Sequence, residues 1–258
     1  MRALMFCSLL AAIGANALPG FASGGPADLP PDEIIRKFAA KEAEFRKARE
    51  NYTYRQSLKM EELDISGRPE GKWEMVSEIT FGPNKKREEK VTYAPMVTLK
   101  NLILSPQDEQ DLRSVQPFVL TTEDIGKYDI QYNGKERLDE IDCYKFSVRP
   151  KTMAKGERYF EGDIWVDDHD LQIVKTYGKG VGQQKKNEDQ QFPRFETYRE
   201  QIDGKYWFPT YTRADDTLKF KNMSQRVHMT VKYENYKRFG SESSITFGDV
   251  VPDKPPSH

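Results

Sequence analysis

Few side chains in this sequence have the type and spacing that chemistry requires. The chain holds three histidines, His169, His228 and His258. None belongs to a His-Glu-x-x-His zinc pattern, and no Gly-x-Ser-x-Gly nucleophile elbow occurs. Asp163, Asp167, Asp168, His169 and Asp170 cluster, and oxygen ligands with one imidazole suit calcium or a transition metal. Their spacing departs from the Asp-x-Asp-x-Asp-Gly calcium loop, and Asp and His also favour tight turns between strands, the reading preferred here. Gly178-Lys179-Gly180-Val181-Gly182 lacks the Gly-Lys-Ser/Thr ending of a phosphate loop and reads as a hairpin loop. Cys143, beside Asp142 and Tyr144, is either a reactive thiol or a small hydrophobe. With only Lys145 as a basic neighbour, the second reading is preferred. The expectation is a protein that is not an enzyme, with no catalytic residue, cofactor or resident metal.

Two other patterns point to binding. Basic clusters at Lys85-Lys86-Arg87, Lys185-Lys186 and Lys219 to Lys221 fall in turns or at strand ends. They are solvated turns or contacts to anionic lipid headgroups. Apolar residues also recur at every second position: Trp73, Met75, Ile79 and Phe81; Tyr144, Phe146 and Val148; Ile164 and Val166; Phe208; Met229 and Val231. These twelve are a core or the lining of an apolar cavity. Burying a Leu- or Phe-sized side chain contributes ~1.5–3 kcal/mol, so an apolar face left uncovered is a sticky liability. An apolar ligand that completes the core resolves that conflict.

The elements that hold these residues follow from the wider pattern. The chain has 258 residues, 40 Lys plus Arg against 41 Asp plus Glu, and a net charge of -1. That length suits one large domain or two small ones. The absence of a basic excess argues against general nucleic-acid binding, and two cysteines are too few for a disulfide framework. Residues 1–22 have Arg2, an apolar run from Ala3 to Ile13, and small-residue sites ending at Ala17 and Ala22. They read as a cleaved secretory signal peptide, shorter than the ~20 residues of a comfortable membrane span. Cys7 lies inside the run, in the wrong context for lipidation. Without this segment the apolar content falls to roughly a third, low for a globular chain.

Residues 23–31 are a Gly/Pro-rich leader, 32–239 the folded domain and 240–258 a loose tail. Asp32 is the expected N-cap of a helix whose apolar stripe is Ile34, Ile35, Phe38 and Phe45. Period-two strands follow from Tyr52, with turns at Ser66–Gly71 and Gly82–Asn84. Ser105-Pro106 opens a short helix towards Leu112. Asn133-Gly134 signals a hairpin, and Gly178 to Gln191 is a polar loop. Later strands are expected at 160–166, 171–177, 192–201, 206–213, 217–221 and 226–239. The result is an α+β, mainly β fold: a strongly curved antiparallel sheet of about ten or eleven strands, a half-barrel wrapped around an N-terminal helix and short helices.

Five stretches carry a family resemblance: Asn51-Tyr52-Thr53-Tyr54-Arg55-Gln56, Tyr144 to Lys151, Gly162-Asp163-Ile164-Trp165-Val166-Asp167, Phe208-Pro209-Thr210-Tyr211 and Tyr233-Glu234-Asn235-Tyr236. With the signal peptide and the amphipathic first helix, residues 32–239 resemble the outer-membrane lipoprotein-sorting (LolA-like) family. The resemblance implies a half-barrel with an apolar hollow that holds acyl chains of lipoproteins or other amphiphiles. For the arginine with which such carriers govern opening, Arg49 and Arg55 are candidates by position alone. The expected protein is a periplasmic, monomeric carrier or binder of acylated ligands, with lipid or lipoprotein acyl chains as partners and no nucleic acid. A periplasmic sensor or adaptor that regulates a membrane-protein partner is the alternative. A hydrolase or metal enzyme built on Asp163 to Asp170 ranks third.

Overall fold

The structure is a computed structural model and describes residues 29–104, 106, 109, 118–182 and 193–239. The expected signal peptide, most of the leader, the tail, the Lys185-Lys186 cluster and nearly all of the short helix near 105–112 lie outside these residues. The chain opens with α1 (Pro31–Arg49). Asp32 is not its N-cap. Pro30 precedes the helix without a side-chain cap, Pro31 takes the first turn, and Asp32 and Glu33 follow. Proline suits that place because its missing N–H would be unpaired there anyway. The two carboxylates meet the positive end of the helix dipole, and Arg46, Lys47 and Arg49 meet the negative end.

Ten strands follow: β1 (Tyr52–Leu63), β2 (Pro69–Phe81), β3 (Arg87–Tyr93), β4 (Tyr128–Leu138), β5 (Ile141–Pro150), β6 (Tyr159–Asp167), β7 (Ile173–Val181), β8 (Phe195–Ile202), β9 (Tyr206–Lys219) and β10 (Ser224–Arg238). They form one open, curved antiparallel sheet in the order β3-β2-β1-β10-β9-β8-β7-β6-β5-β4. β1 to β3 step outward one way. The next strand, β4, lies at the far edge, and β4 to β10 meander back until β10 pairs with β1.

Three local readings are corrected. Asn133-Gly134 does not turn the chain. β4 runs through it, Tyr132 pairing with Phe146 and Lys135 with Tyr144, so two residues oppose Lys145 alone. Gly134 has φ 95°; the left-handed glycine that a hairpin turn needs serves a bulge equally well. The tight turn lies at Asp139, φ 51°, where Leu138 meets Ile141. Gly178 and Gly180 belong to β7 rather than to a loop. A Cβ on Gly178 would sit 2.6 Å from Cζ of Phe160, so that ring occupies the space a side chain would need. Finally, the strands expected at 206–213 and 217–221 are one strand, β9, closed onto β10 by a turn in which Phe220 N–H donates to the Met223 carbonyl.

Cross-strand partners share a face, so the register identifies the inner side of the sheet. One row runs Met75, Leu58, Val231, Thr212, Thr197, Thr176, Ile164, Phe146 and Tyr132 across nine strands. It is apolar at both ends, with three buried threonines in the middle. Helix α1 covers the far half: Ile34, Phe38 and Ala39 pack with Tyr144, Phe146, Val148, Ile164 and Val166. The near half is covered by the crossover. Leu99, Leu102 and Leu104 lie on Leu58, Met60, Trp73, Met75, Val231 and Tyr233. Further along, Phe118 and Leu120 join the cluster under α1. Among the described residues, the hollow therefore has two fillers, the helix and the crossover.

Candidate functional site

The twelve apolar residues read from the alternation fall into separate groups. Tyr144, Phe146, Val148, Ile164 and Val166 form the wall under α1. Trp73, Met75 and Val231 form the wall under the crossover. Phe208 joins Phe45 and Tyr52 between them, with ring centroids 5.2 and 4.6 Å away. Tyr236 stacks at 4.8 Å from Phe208 and 5.2 Å from Tyr54, linking this group to the near half. Ile79 and Met229 are buried, and Phe81 is half-buried at the end of β2.

Between the two walls lies a polar strip that the alternation did not disclose. Thr197 and Thr212 share a hydrogen bond of 2.8 Å, with Thr176 beside them in register. Two residues along β8 from Thr197, Arg199 meets Glu42 of α1. Arg199 Nη1 donates to both carboxylate oxygens of Glu42 at 2.9 and 3.2 Å, and Nη2 donates to Oε2 at 3.2 Å. Nη2 also donates to the Phe118 carbonyl at 2.5 Å, and the guanidinium lies 5.0 Å from the centre of the Phe45 ring. Both side chains are buried. Burial pushes the Glu42 carboxyl up, and the guanidinium pulls it back without cancelling the rise. This pair fastens helix, sheet and crossover at one point.

Arg199 is not one of the two arginines chosen by position. Arg55 is exposed on β1, opposite Glu78 and Glu234. Arg49 is half-buried near Glu42 and Arg199, and burial pushes it below the usual arginine value.

The crossover is fastened differently. Glu62, at the end of β1 and fully buried, accepts the backbone N–H groups of Lys100, Asn101 and Leu102 at 2.7, 2.8 and 2.5 Å. Asn101 Nδ2 donates to Gln225 Oε1, and Thr98 N–H to the Lys72 carbonyl. One carboxylate thus holds three amides of a roof that has no secondary structure of its own.

The remaining candidates resolve into structure. Asp167 accepts the N–H groups of His169 and Asp170 at 2.8 and 2.5 Å, building the turn between β6 and β7. Asp170 in turn accepts from Gln201 and from the Trp207 indole. Among the described residues, no group of three or more His, Cys, Asp or Glu is placed to hold a metal ion. Cys143 is buried with Trp165 and Val174, and its thiol is pushed up to about 12, by burial first and then by nearby carboxylates. A pocket of about 380 Å³ opens at the end of α1, between Lys47, Tyr52, Asp203, Lys205 and Arg238. None of the twelve apolar residues lines it.

No family model matches the chain, and no curated protein matches it in sequence. Several solved structures are similar. A DUF1329 family protein from Desulfovibrio piger shares 15% identity over 83% of this chain and 96% of its own, with a TM-score of 0.43. A putative outer membrane lipoprotein-sorting protein domain from Vibrio parahaemolyticus shares 11% over 81% and 95%, with a TM-score of 0.37. A LolA superfamily protein from Nitrosomonas europaea shares 12% over 80% and 92%, with a TM-score of 0.35.

Proposed function

We propose that this chain is a periplasmic carrier or binder of lipoproteins or other acylated amphiphiles, and that it acts by sequestration rather than catalysis. The observation that carries the reading is the unequal closure of the apolar hollow. The half built by Leu58, Trp73, Met75 and Val231 is roofed by a single extended segment whose leucines stand where an acyl chain would lie. An incoming chain replaces Leu99, Leu102 and Leu104 one apolar contact for another, so exchange costs little apolar burial. The other half is closed by a helix with a buried ion pair and is the fixed wall. The twelve apolar residues named from the sequence are proposed as lining of the two walls, with Trp73, Met75 and Val231 nearest the exchangeable roof.

Trp73 makes the reading testable. Trp165 lies between Ile164 and Val166 and Trp207 precedes Phe208, so alternation puts both on the opposite face from these core residues. In a Trp165→Phe/Trp207→Phe variant, a bromine-labelled fatty acid is expected to quench Trp73, and Met75→Asp is expected to abolish the quenching. Mass spectrometry of protein purified from its native host is expected to find an acylated ligand. No quenching by any acyl probe, together with no lipid in the extract, overturns the proposal.

A further inference from the structure

The basic cluster from Lys219 to Lys221 is not absorbed by the hollow, and its place in the sheet gives it a use. Leu63 pairs with Arg226, so the β1–β2 turn and the β9–β10 turn lie side by side at one end of the sheet. Gln225 ties a third segment to them: its Nε2 donates to the Leu63 carbonyl at 3.0 Å, and its Oε1 accepts from Asn101 at 3.0 Å. Two of the segments carry an isoleucine out into water, and the third carries a partly exposed methionine. Ile65 is 99% exposed, Ile103 94% and Met223 39%. Ile65 is held there by a built turn, in which Asp64 accepts the N–H groups of Ser66 and Arg68 at 2.7 and 2.9 Å. The same end carries Arg68, Lys100, Lys219, Lys221 and Arg226, all exposed, against the carboxylates of Asp64, Glu70 and Asp216. Asp64 and Arg68 pair with each other and cancel, which leaves Lys100, Lys219, Lys221 and Arg226 against Glu70 and Asp216, an excess of two positive charges.

A single exposed isoleucine is ordinary on a protein surface. Two projecting isoleucines and a partly exposed methionine on three adjoining segments, set among cations in a chain of net charge -1, are not. Apolar side chains that enter the headgroup boundary, flanked by lysines and arginines that meet lipid phosphates, are the combination that holds a protein on a bilayer surface. We propose that this end of the sheet is a docking surface for an anionic lipid bilayer. Ile65, Ile103 and Met223 dip into the interface, and Lys219, Lys221 and Arg226 lie on the headgroups. The docking does not depend on the hollow's being a carrier site, because it uses none of the residues inside.

Vesicle co-sedimentation of the purified, delipidated protein tests it, with phosphatidylglycerol and phosphatidylcholine vesicles compared at low and high salt. Binding to phosphatidylglycerol alone, released by salt, is expected. Lys219→Glu/Lys221→Glu is expected to weaken it by at least about twenty-fold, at roughly fivefold per charge removed. Ile65→Ser is expected to weaken it about tenfold, with an unchanged circular dichroism spectrum because the side chain touches little of the fold. Lys85→Glu/Lys86→Glu, in the β2–β3 turn at the other end of β2, serves as the control and is expected to bind like the wild type. No binding by the wild type overturns the inference. So does equal binding by the Lys219/Lys221 variant, or an equal loss in the control.

Discussion

The Glu42–Arg199 pair makes the sharpest demand on the fold, because the two single substitutions are not equivalent. Glu42→Leu leaves a guanidinium buried beside Phe45 with one carbonyl acceptor, Phe118. A guanidinium does not deprotonate to escape burial, so a loss of about 3–5 kcal/mol is expected wherever the wild-type carboxylate is ionised, and a smaller one in acid, where Glu42 itself takes a proton. For a domain of this size the full loss lowers Tm by roughly 6–20 °C. Arg199→Met keeps the apolar stem but leaves Glu42 buried without its cation. The carboxyl is already pushed up by burial and rises further, so it is neutralised by taking a proton. A group whose folded pKa exceeds its unfolded value of about 4.3 stabilises fully below that value, and the contribution is lost as pH rises through the folded pKa. Arg199→Met is therefore expected to approach wild-type stability in acid and to lose about 3–5 kcal/mol at high pH. Glu42→Leu/Arg199→Met is expected to be neutral or better at neutral pH, since a well-packed apolar replacement of a buried pair often is. Urea unfolding followed by circular dichroism at several pH values reads all four proteins. At high pH, single variants within about 1 kcal/mol of wild type, or a double variant equal to the sum of the singles, refute the coupling.

Three further outcomes follow from the same coordinates. Cys143, buried and with its thiol pushed up to about 12, is expected to resist a thiol reagent at pH 8 in the native state and to react at the rate of unfolding in urea; prompt labelling of native protein contradicts that burial. Gly178→Ala is expected to cost about 1–3 kcal/mol through overpacking, because its Cβ would overlap both Phe160 and the Glu161 carbonyl; a Phe160→Ala background, which frees the ring's space, should reduce the added cost in a thermal melt. On the outer face, burial pushes the Glu196 carboxyl up, but hydrogen bonds from Lys175, Tyr198 and Arg213 outweigh it and hold the group below the usual value. Its contribution is present above the unfolded carboxylate value and is lost as pH falls through the folded one. Glu196→Gln should therefore flatten the acid limb of stability against pH, and an unchanged limb assigns that stability elsewhere.

Where one face of an element is buried, the chain's pattern was a sufficient guide. The alternation around Trp73, Phe146, Ile164 and Val231 marked buried strand positions, and Ile34, Phe38 and Phe45 marked the helix face that meets them. The polar strip was legible but went unread. Glu42 stands four residues after Phe38 and three before Phe45, on the apolar stripe itself, and Arg199 keeps the inward register of Thr197. A charge in a buried register has to find a partner, and that rule applied to both would have paired them. The crossover roof had no such signal. Leu99, Leu102 and Leu104 follow neither the helical nor the strand period, and their burial depends on residues far along the chain, on β2, β1 and β10. Asn133-Gly134 failed for another reason: a left-handed glycine specifies a backbone conformation, and the pairing on either side decides whether that becomes a turn or a bulge.

The two ways of closing the hollow decide where it opens. Lifting α1 strips a bidentate ion pair and exposes Phe38, Phe45 and the wall beneath them. Lifting the 99–104 segment exposes three leucines and releases three amides from Glu62, and each amide meets water on leaving. Both routes strip a buried charged group of its partners, Arg199 under α1 and Glu62 under the crossover, so apolar exposure decides between them: α1 uncovers Ile34, Phe38 and Phe45 with their wall, the crossover three leucines with theirs. On the proposed carrier reading, opening falls to the β1, β2 and β10 half. Glu62 adjoins the turn that carries Ile65, and Leu102 adjoins Ile103, so the segment that must move also forms part of the proposed bilayer surface. On the two proposals together, drawing Ile103 into lipid would pull on the segment that Glu62 holds, and an acyl chain leaving the bilayer there would meet Trp73 and Met75.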